Sequence, residues 1–177
     1  MQYVRNMDTV SKKRRSRIMA AIKSKNTKPE KAVRSALYKR GYRFRLHRKE
    51  LPGTPDIVLF RYKTAIFVHG CFWHQHGCKH TSKPKTRKAY WNDKFAANDR
   101  RDKRNFAELR RDGWKVVVVW ECEIRDDIDR VARRLDRILK RRLREIETDT
   151  AKDPVNDEKK KGRKKKSCRQ RGGKRSR

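Results

Sequence analysis

Twelve consecutive residues, His69-Gly70-Cys71-Phe72-Trp73-His74-Gln75-His76-Gly77-Cys78-Lys79-His80, hold four of the chain's five histidines and two of its four cysteines. Soft thiolates set among imidazoles are what zinc takes, and a closed structural site needs four of them in a tetrahedral shell. Cys71, His76 and Cys78 supply three ligands, with His74 and His80 competing with His76 on spacing alone. A fourth ligand returned to this loop from elsewhere in the chain would close the site. Cys122 is the candidate, and Cys168, in the basic C-terminal stretch, is a bystander.

The apolar pattern delivers that return independently. Thr64 to His69 and Lys115 to Trp120 are short apolar runs, the second carrying Val116-Val117-Val118-Val119, as expected of a buried central strand. Between them, from about Thr86 to Asp112, the spacing is helical, with Trp91, Phe95, Asn98, Asp102, Phe106 and Leu109 on one side and Gly113 as the stop. Strand, helix, strand is the crossover of a parallel pair, whose carboxyl ends share one edge of the sheet. Cys71 and Cys122 each follow one of those ends.

The remaining elements fill out an α/β core. Thr27-Lys28-Pro29-Glu30 reads as a helix start, with Thr27 as N-cap and Glu30 as its capping-box partner, and Gly41 ends that helix. Tyr42, Phe44 and Leu46 alternate with Arg43, Arg45 and His47, the pattern of a half-buried strand. Asp56 to Phe60 and Thr64 to His69 form a hairpin; centred on Tyr62-Lys63, it pairs Phe60 with Ala65, Val58 with Phe67 and Asp56 with His69. Ile128, Val131, Ala132, Leu135, Ile138, Leu139, Leu143 and Ile146 mark a final amphipathic helix. The order is α-β-β-β-α-β-α, in a core of residues 29–150 between a basic arm, 1–28, and a basic tail, 151–177, whose composition predicts disorder.

Charge narrows the partner. Lys and Arg number 54 against 21 Asp and Glu, a formal +33; the tail carries 10 of this excess and the arm 8, leaving 15 on the core. A field this positive points to nucleic acid. No run approaches a membrane span and no apolar signal segment opens the chain, so a cytoplasmic, reducing setting is expected.

A closed zinc site has no open position, so chemistry must come from other groups. Asp56, a carboxylate at a strand start, suits a magnesium ion serving a phosphodiester, with His69 or His74 as a base at neutral pH. Phe72 and Trp73, adjacent on a short loop, suit stacking on or wedging between bases, and Trp91 reads the same way. Each also has a plainer role: turn aspartate, loop packing, helix stripe. Glu30 serves as a capping residue and Asp102 as a helix-surface carboxylate.

Three segments resemble the very-short-patch mismatch repair endonucleases, the Vsr family: Leu51-Pro52-Gly53-Thr54-Pro55-Asp56, Ile66-Phe67-Val68-His69-Gly70-Cys71-Phe72-Trp73-His74 and Val118-Val119-Trp120-Glu121-Cys122. The likeness runs from about Ser16 to about Cys122 and continues more weakly into the last helix. It implies a restriction-endonuclease-like mixed sheet flanked by helices, with a structural zinc on Cys71, His76, Cys78 and Cys122. It also implies a magnesium-dependent enzyme that nicks 5′ to the thymine of T:G mismatches left by 5-methylcytosine deamination. By the same resemblance Asp56 and the Val68 carbonyl hold magnesium, and His74 is the base, oriented by Asp102. His69 and Glu30 complete the water and phosphate network. Phe72, Trp73 and Trp91 form the wedge, Lys94 and Asn98 meet the mismatched bases, and Met19 and Ile22 close from the N-terminal arm. The implied setting is a bacterial monomer at the nucleoid, acting on duplex DNA, with a mismatch-repair ATPase as a further partner. Val68 stands where the family carries threonine, the basic tail is no family feature, and the Glu-x-Lys half of the common nuclease motif is absent. A restriction or homing-type endonuclease of the same fold and a non-catalytic zinc-stabilised DNA-binding protein are the competing readings; the joint presence of Asp56, His69, His74 and Asp102 favours an enzyme.

Overall fold

The computed structural model describes residues 25–81, 83–84 and 86–152, with Ser11, Lys13, Arg14 and Arg17 as isolated positions before them. Met19, Ile22, Cys168 and most of both basic extensions lie outside the described residues.

Helix α1, Lys28–Lys39, begins as the sequence predicts. The Thr27 side chain accepts from the Glu30 N–H and the Glu30 carboxylate accepts from the Thr27 N–H, a complete capping box that satisfies donors the first turn leaves open. Its buried face is Glu30, Val33, Ala36 and Leu37. Strand β1, Ile57–Leu59, runs antiparallel to β2, Thr64–His69, and β2 runs parallel to β3, Lys115–Trp120, giving a three-stranded mixed sheet in the order β1-β2-β3. After β2 comes the single turn α2, Cys71–His74, and then the long helix α3, Lys88–Arg111, which Gly113 ends with φ +77°. After β3 come α4, Glu121–Asp126, and α5, Ile128–Lys152.

The two sheet faces bury separate cores. Ile57, Leu59, Ile66, Val117 and Val119 pack with Val33 and Leu37 of α1 and with Val131, Leu135 and Leu139 of α5. On the other face Ala65 and Phe67 meet Leu109 of α3, with Phe106 and Trp114 beside them. Strands buried on both sides read as unbroken apolar runs, which is why the valine run of β3 carries no alternation. In α5, by contrast, burial recurs at Val131, Ala132, Leu135 and Leu139, the helical period expected of one apolar stripe. No helix among the described residues is long and apolar enough to cross a membrane.

Two expectations are corrected. Residues 42–47 form no strand: they contribute the single bridge Arg45 to Val58, closed by two backbone hydrogen bonds of 2.8 and 2.9 Å. Tyr42 is buried, but Leu46 is 39 % exposed and His47 has φ +47°, so the extended run breaks before it can pair further. The hairpin register is also displaced by two residues, with Ile57 facing Ile66 and Leu59 facing Thr64. The cause is the connection. Phe60–Tyr62 form a 3₁₀ turn and Lys63 is left-handed, so four residues rather than two reverse the chain, and Tyr62 folds back onto the Tyr42 ring at 5.4 Å. Asp56 is therefore not beside His69. Continuing the register sets it opposite Phe67, and its Oδ2 accepts from the Val68 N–H at 2.8 Å.

Leu139 is fully buried where α5 meets the sheet. Replacement by Ala should cost about 2–5 kcal/mol through lost transfer energy and the cavity left behind, measured by urea denaturation of the zinc-loaded protein. Leu46→Ala, at a largely solvated position, should change stability by no more than about 0.5 kcal/mol.

Candidate nuclease site

The parallel pairing of β2 with β3 runs to their last residues, His69 opposite Trp120, so both chains leave the sheet at one edge. Cys71 opens α2 just past β2, and Cys122 lies in the first turn of α4 just past β3. Gln75 at φ +44° and Gly77 at φ +86° then turn the chain back, and His76 and Cys78 join the two sulfurs with all four ligand atoms within 4.8 Å of one another. His76 Nε2 lies 3.3 Å from Cys71 Sγ and 3.5 Å from Cys122 Sγ. The imidazole also stacks on Trp120 at 3.9 Å, which fixes its plane. His74 and His80 are not in this cluster, so His76 is the histidine the geometry selects.

The donor set fits zinc. Burial pushes the Cys71 thiol up to about 12 and raises that of Cys122, while the Thr81 hydroxyl holds Cys78 below the usual thiol range. Three sulfurs so placed become thiolates together only with a cation among them, and Cys3His is a zinc shell.

A second cluster lies on the α3 side of the sheet edge. His74 Nδ1 is 2.8 Å from Asp102 Oδ2, and the His69 and His74 rings stack at 3.7 Å and 8°. The hydrogen bond puts the proton of neutral His74 on Nδ1 and leaves Nε2 with a free lone pair. Burial, then the neighbouring His74, pushes His69 down to about 4, so it is neutral at pH 7. Burial alone would raise the Asp102 carboxyl, but the hydrogen bond and charge of His74 outweigh it and hold the group low.

The third cluster is Glu30, His47 and Asp56. His47 Nδ1 lies 3.9 Å from Asp56 Oδ1, and His47 Nε2 lies 3.7 Å from Glu30 Oε2. Arg34 Nη2 reaches both, at 2.5 Å to Glu30 and 3.0 Å to His47. Burial pushes the Asp56 carboxyl up to about 6, against the Val68 N–H, which lowers it; Glu30 adds to the rise, and the charges of Arg34 and then His74 oppose it. Burial and then Arg34 hold His47 below the usual imidazole range. Neither Arg34 nor His47 stands out in the sequence as a site residue. The available signal was that His47 is the one histidine outside the 69–80 string, beside a turn that leads to Asp56.

The same turn α2 that supplies Cys71 and His74 carries Phe72 and Trp73. Phe72 meets Trp91 at 5.3 Å and Phe95 at 5.5 Å, edge to face, and Trp73 lies 6.2 Å from Trp91. All four rings are half-buried, so they pack on one another and still present surface. Asn98 is buried and donates from Nδ2 to the Trp73 carbonyl at 3.1 Å, tying this platform to α3, whereas Lys94 of the same helix is exposed.

Residues 7–80 match the family model described as DNA mismatch endonuclease Vsr. The chain is 54% identical over 132 residues to "Type II nicking enzyme V.XorIIP" of Xanthomonas oryzae pv. oryzae (strain KACC10331 / KXO85), covering 75% of this chain and 96% of that relative. It is 42% identical over 118 residues to "DNA mismatch endonuclease Vsr" of Escherichia coli (strain K12), covering 67% of this chain and 76% of the relative. Among solved structures it is similar to the "Homing Endonuclease I-Bth0305I Catalytic Domain", with a TM-score of 0.46 and 24% identity over 67% of this chain and 99% of the other. With its three motifs gathered at one sheet edge and these relatives matched over 96% and 76% of their length, the chain belongs to the Vsr DNA mismatch endonuclease family.

Proposed function

We propose that the protein nicks duplex DNA 5′ to the thymine of T:G mismatches, the first step of very short patch repair, in a magnesium-dependent hydrolysis. The observation that carries this reading is that one helical turn, α2, bears both the aromatic pair Phe72-Trp73 and the imidazole of His74, whose Nδ1 is 2.8 Å from Asp102. A group that can open a base stack and a group that can take a proton then move as one rigid unit. Relatives named as nicking enzymes support a single-strand cut, and one named a DNA mismatch endonuclease supports a mismatch as its target.

Asp56 and the Val68 carbonyl would hold magnesium, a hard cation that takes one or two carboxylates together with phosphate oxygens and water. The residues fit it: a partly buried carboxylate whose Oδ2 is fixed by the Val68 N–H and whose Oδ1 faces His47, with burial outweighing the opposing charge of Arg34. When bound, the ion supplies charge neutralisation at the phosphate as negative charge builds in the transition state. His74 acts as general base, taking a proton from the attacking water at Nε2 while Asp102 orients the ring and stabilises its charge. His69, neutral and stacked on His74, fixes the ring plane. Phe72, Trp73 and Trp91 distort the duplex; a mismatch lowers that cost by a few kcal/mol, and selectivity follows. Lys94, with Met19 and Ile22 of the arm, completes the DNA contact, whereas Asn98, expected to meet the mismatched bases, is buried and spends its amide on the Trp73 carbonyl, so it supports the aromatic platform from behind. Residues 29–150 form the catalytic domain, and the basic arm and tail add salt-dependent affinity.

The deciding experiment is a strand-specific assay on duplexes carrying T:G or C:G at one site, with magnesium. A nick 5′ to the mismatched T is expected, with none at C:G and a loss of at least about 10²-fold for Asp56→Ala. Cleavage of matched DNA would overturn the mismatch assignment, and tight mismatch binding without cleavage would leave a recognition module.

The Asp56 carboxyl, raised to about 6, is ionised above that pH and protonated below it. Since the cation requires the ionised form, the magnesium concentration for half-maximal nicking should be flat above pH 7 and rise about tenfold per unit below about pH 6. Removal of zinc by a strong chelator, or Cys122→Ser, should abolish the one-to-one zinc content. It should also lower the thermal midpoint by several degrees or more, since structural zinc contributes folding energy directly.

A further inference from the structure

The Glu30–His47–Asp56 cluster has the composition of a transition-metal site: two carboxylates and an imidazole, with ligand atoms within 4.8 Å of one another. It already contains a cation. The Arg34 guanidinium lies on Glu30 Oε2 at 2.5 Å and on His47 Nε2 at 3.0 Å, and its Nη1 donates to Asn26 Oδ1 at 2.6 Å. Glu30 is further committed to the helix start, accepting from Thr27 Oγ1 at 2.8 Å and from the Asn26 N–H at 3.0 Å. His47 is held in a left-handed backbone at φ +47°, which aims its ring between Arg34 and Asp56. Because Nε2 accepts from the guanidinium, the proton of neutral His47 sits on Nδ1, the atom facing Asp56, where it cannot ligate a metal. The Nε of Arg34 is buried with no acceptor among the described residues, so its Nη contacts hold the group in place against that cost.

We propose that Arg34 determines which divalent cation the site takes: it occupies Glu30 and His47 from inside the protein, leaving Asp56 as the sole carboxylate of a hard, oxygen-ligated site. Carboxylate, carbonyl and water suit magnesium, whereas imidazole added to carboxylates suits transition metals. A guanidinium is suited to the task because it stays charged at any working pH, and here Nη2 reaches both acceptors while Nη1 is held by Asn26. The inference rests on the reading that Asp56 holds the catalytic cation. It adds that the chain excludes competing metals through an arginine that touches neither metal nor substrate.

The test is equilibrium binding of Mn²⁺ to the full-length, zinc-loaded protein, read from the free Mn²⁺ signal in electron paramagnetic resonance, with Mg²⁺ affinity obtained by competition. The filled cysteine site removes the thiolates from the measurement. Arg34→Met should tighten Mn²⁺ binding about tenfold or more, and Mg²⁺ binding by distinctly less, as Glu30 and His47 become free to ligate. Adding Glu30→Gln or His47→Ala to that variant should remove the gain, and Arg34→Lys, which restores a cation, should return the wild-type preference. If Arg34→Met does not keep its zinc and its thermal midpoint, Arg34→Gln takes its place with the same expectation. Unchanged or weakened Mn²⁺ binding in the folded variant, or Arg34→Lys behaving like Arg34→Met, would overturn the proposal. Asp56→Asn separates the two readings: Mn²⁺ bound as in the wild type would show that Asp56 is not the cation's ligand, whatever the arginine variants do.

Discussion

The parallel pairing of β2 with β3 is the interaction on which the site depends. It ends with His69 opposite Trp120, and from that shared edge the chain delivers two cysteines, a turn of helix carrying two aromatics and a histidine, and the start of α4. The consequence is mechanical. A zinc on Cys71 and Cys122 would tie the two strand ends covalently, so the α2 turn could not drift from the sheet without breaking a metal–sulfur bond. Trp120 sits at the hub, with His76 stacked on its face at 3.9 Å and His69 edge-on at 5.3 Å. The metal cluster and the imidazole pair thus share one aromatic wall, so disturbing either side shifts the other.

Around that edge the environment separates groups of the same chemical type. Asp56 and Asp102 are both partly buried aspartates, yet burial raises the first to about 6 while His74 holds the second low. His69 and His74 stack face to face, yet only His74 has a carboxylate within hydrogen-bonding distance, and His69 is neutral to about pH 4. Pairs pushed apart in this way can take different roles, and the proposed function uses that difference: Asp56 for the cation and Asp102 as orienter, His74 as base and His69 as its support.

The sequence pattern carried the long-range part of this architecture better than the local part. The valine run and the helix before it specify a parallel crossover, and that suffices to bring residue 122 to residue 71. The Thr27–Glu30 box specifies a helix start because both partners lie three residues apart in the chain. The hairpin register was not legible, because period-2 alternation gives the face of each residue and not the length of the connection. A two-residue slip keeps every side chain on its predicted face while moving Asp56 away from His69. Nor was the role of residues 42–47 legible. The alternation at Tyr42 and Phe44 is real burial, but a left-handed residue at 47 ends it, and histidine carries little sign of that backbone. Arg34 was hidden for a different reason: among 54 lysines and arginines, one that turns inward toward a carboxylate and an imidazole looks in sequence like the rest.

That abundance of positive charge also explains why the site carboxylates are arranged as they are. A strongly basic protein draws a polyanion to its surface, so each acidic group near the phosphate works against binding unless it is neutralised. Glu30 is neutralised by Arg34, and Asp102 bonds to His74. Asp56 accepts from a backbone N–H and faces His47, and the charges of Arg34 and His74 lower its carboxyl by less than burial raises it. Among the described residues no Lys or Arg forms an ion pair with this carboxylate, which lies at the sheet edge near the packed aromatics and His74. In the proposed function a divalent cation on Asp56 would offset that carboxylate's repulsion of the phosphate, and oxygens of the bound DNA would add to its ligands, so that cation and substrate would each favour the other's binding.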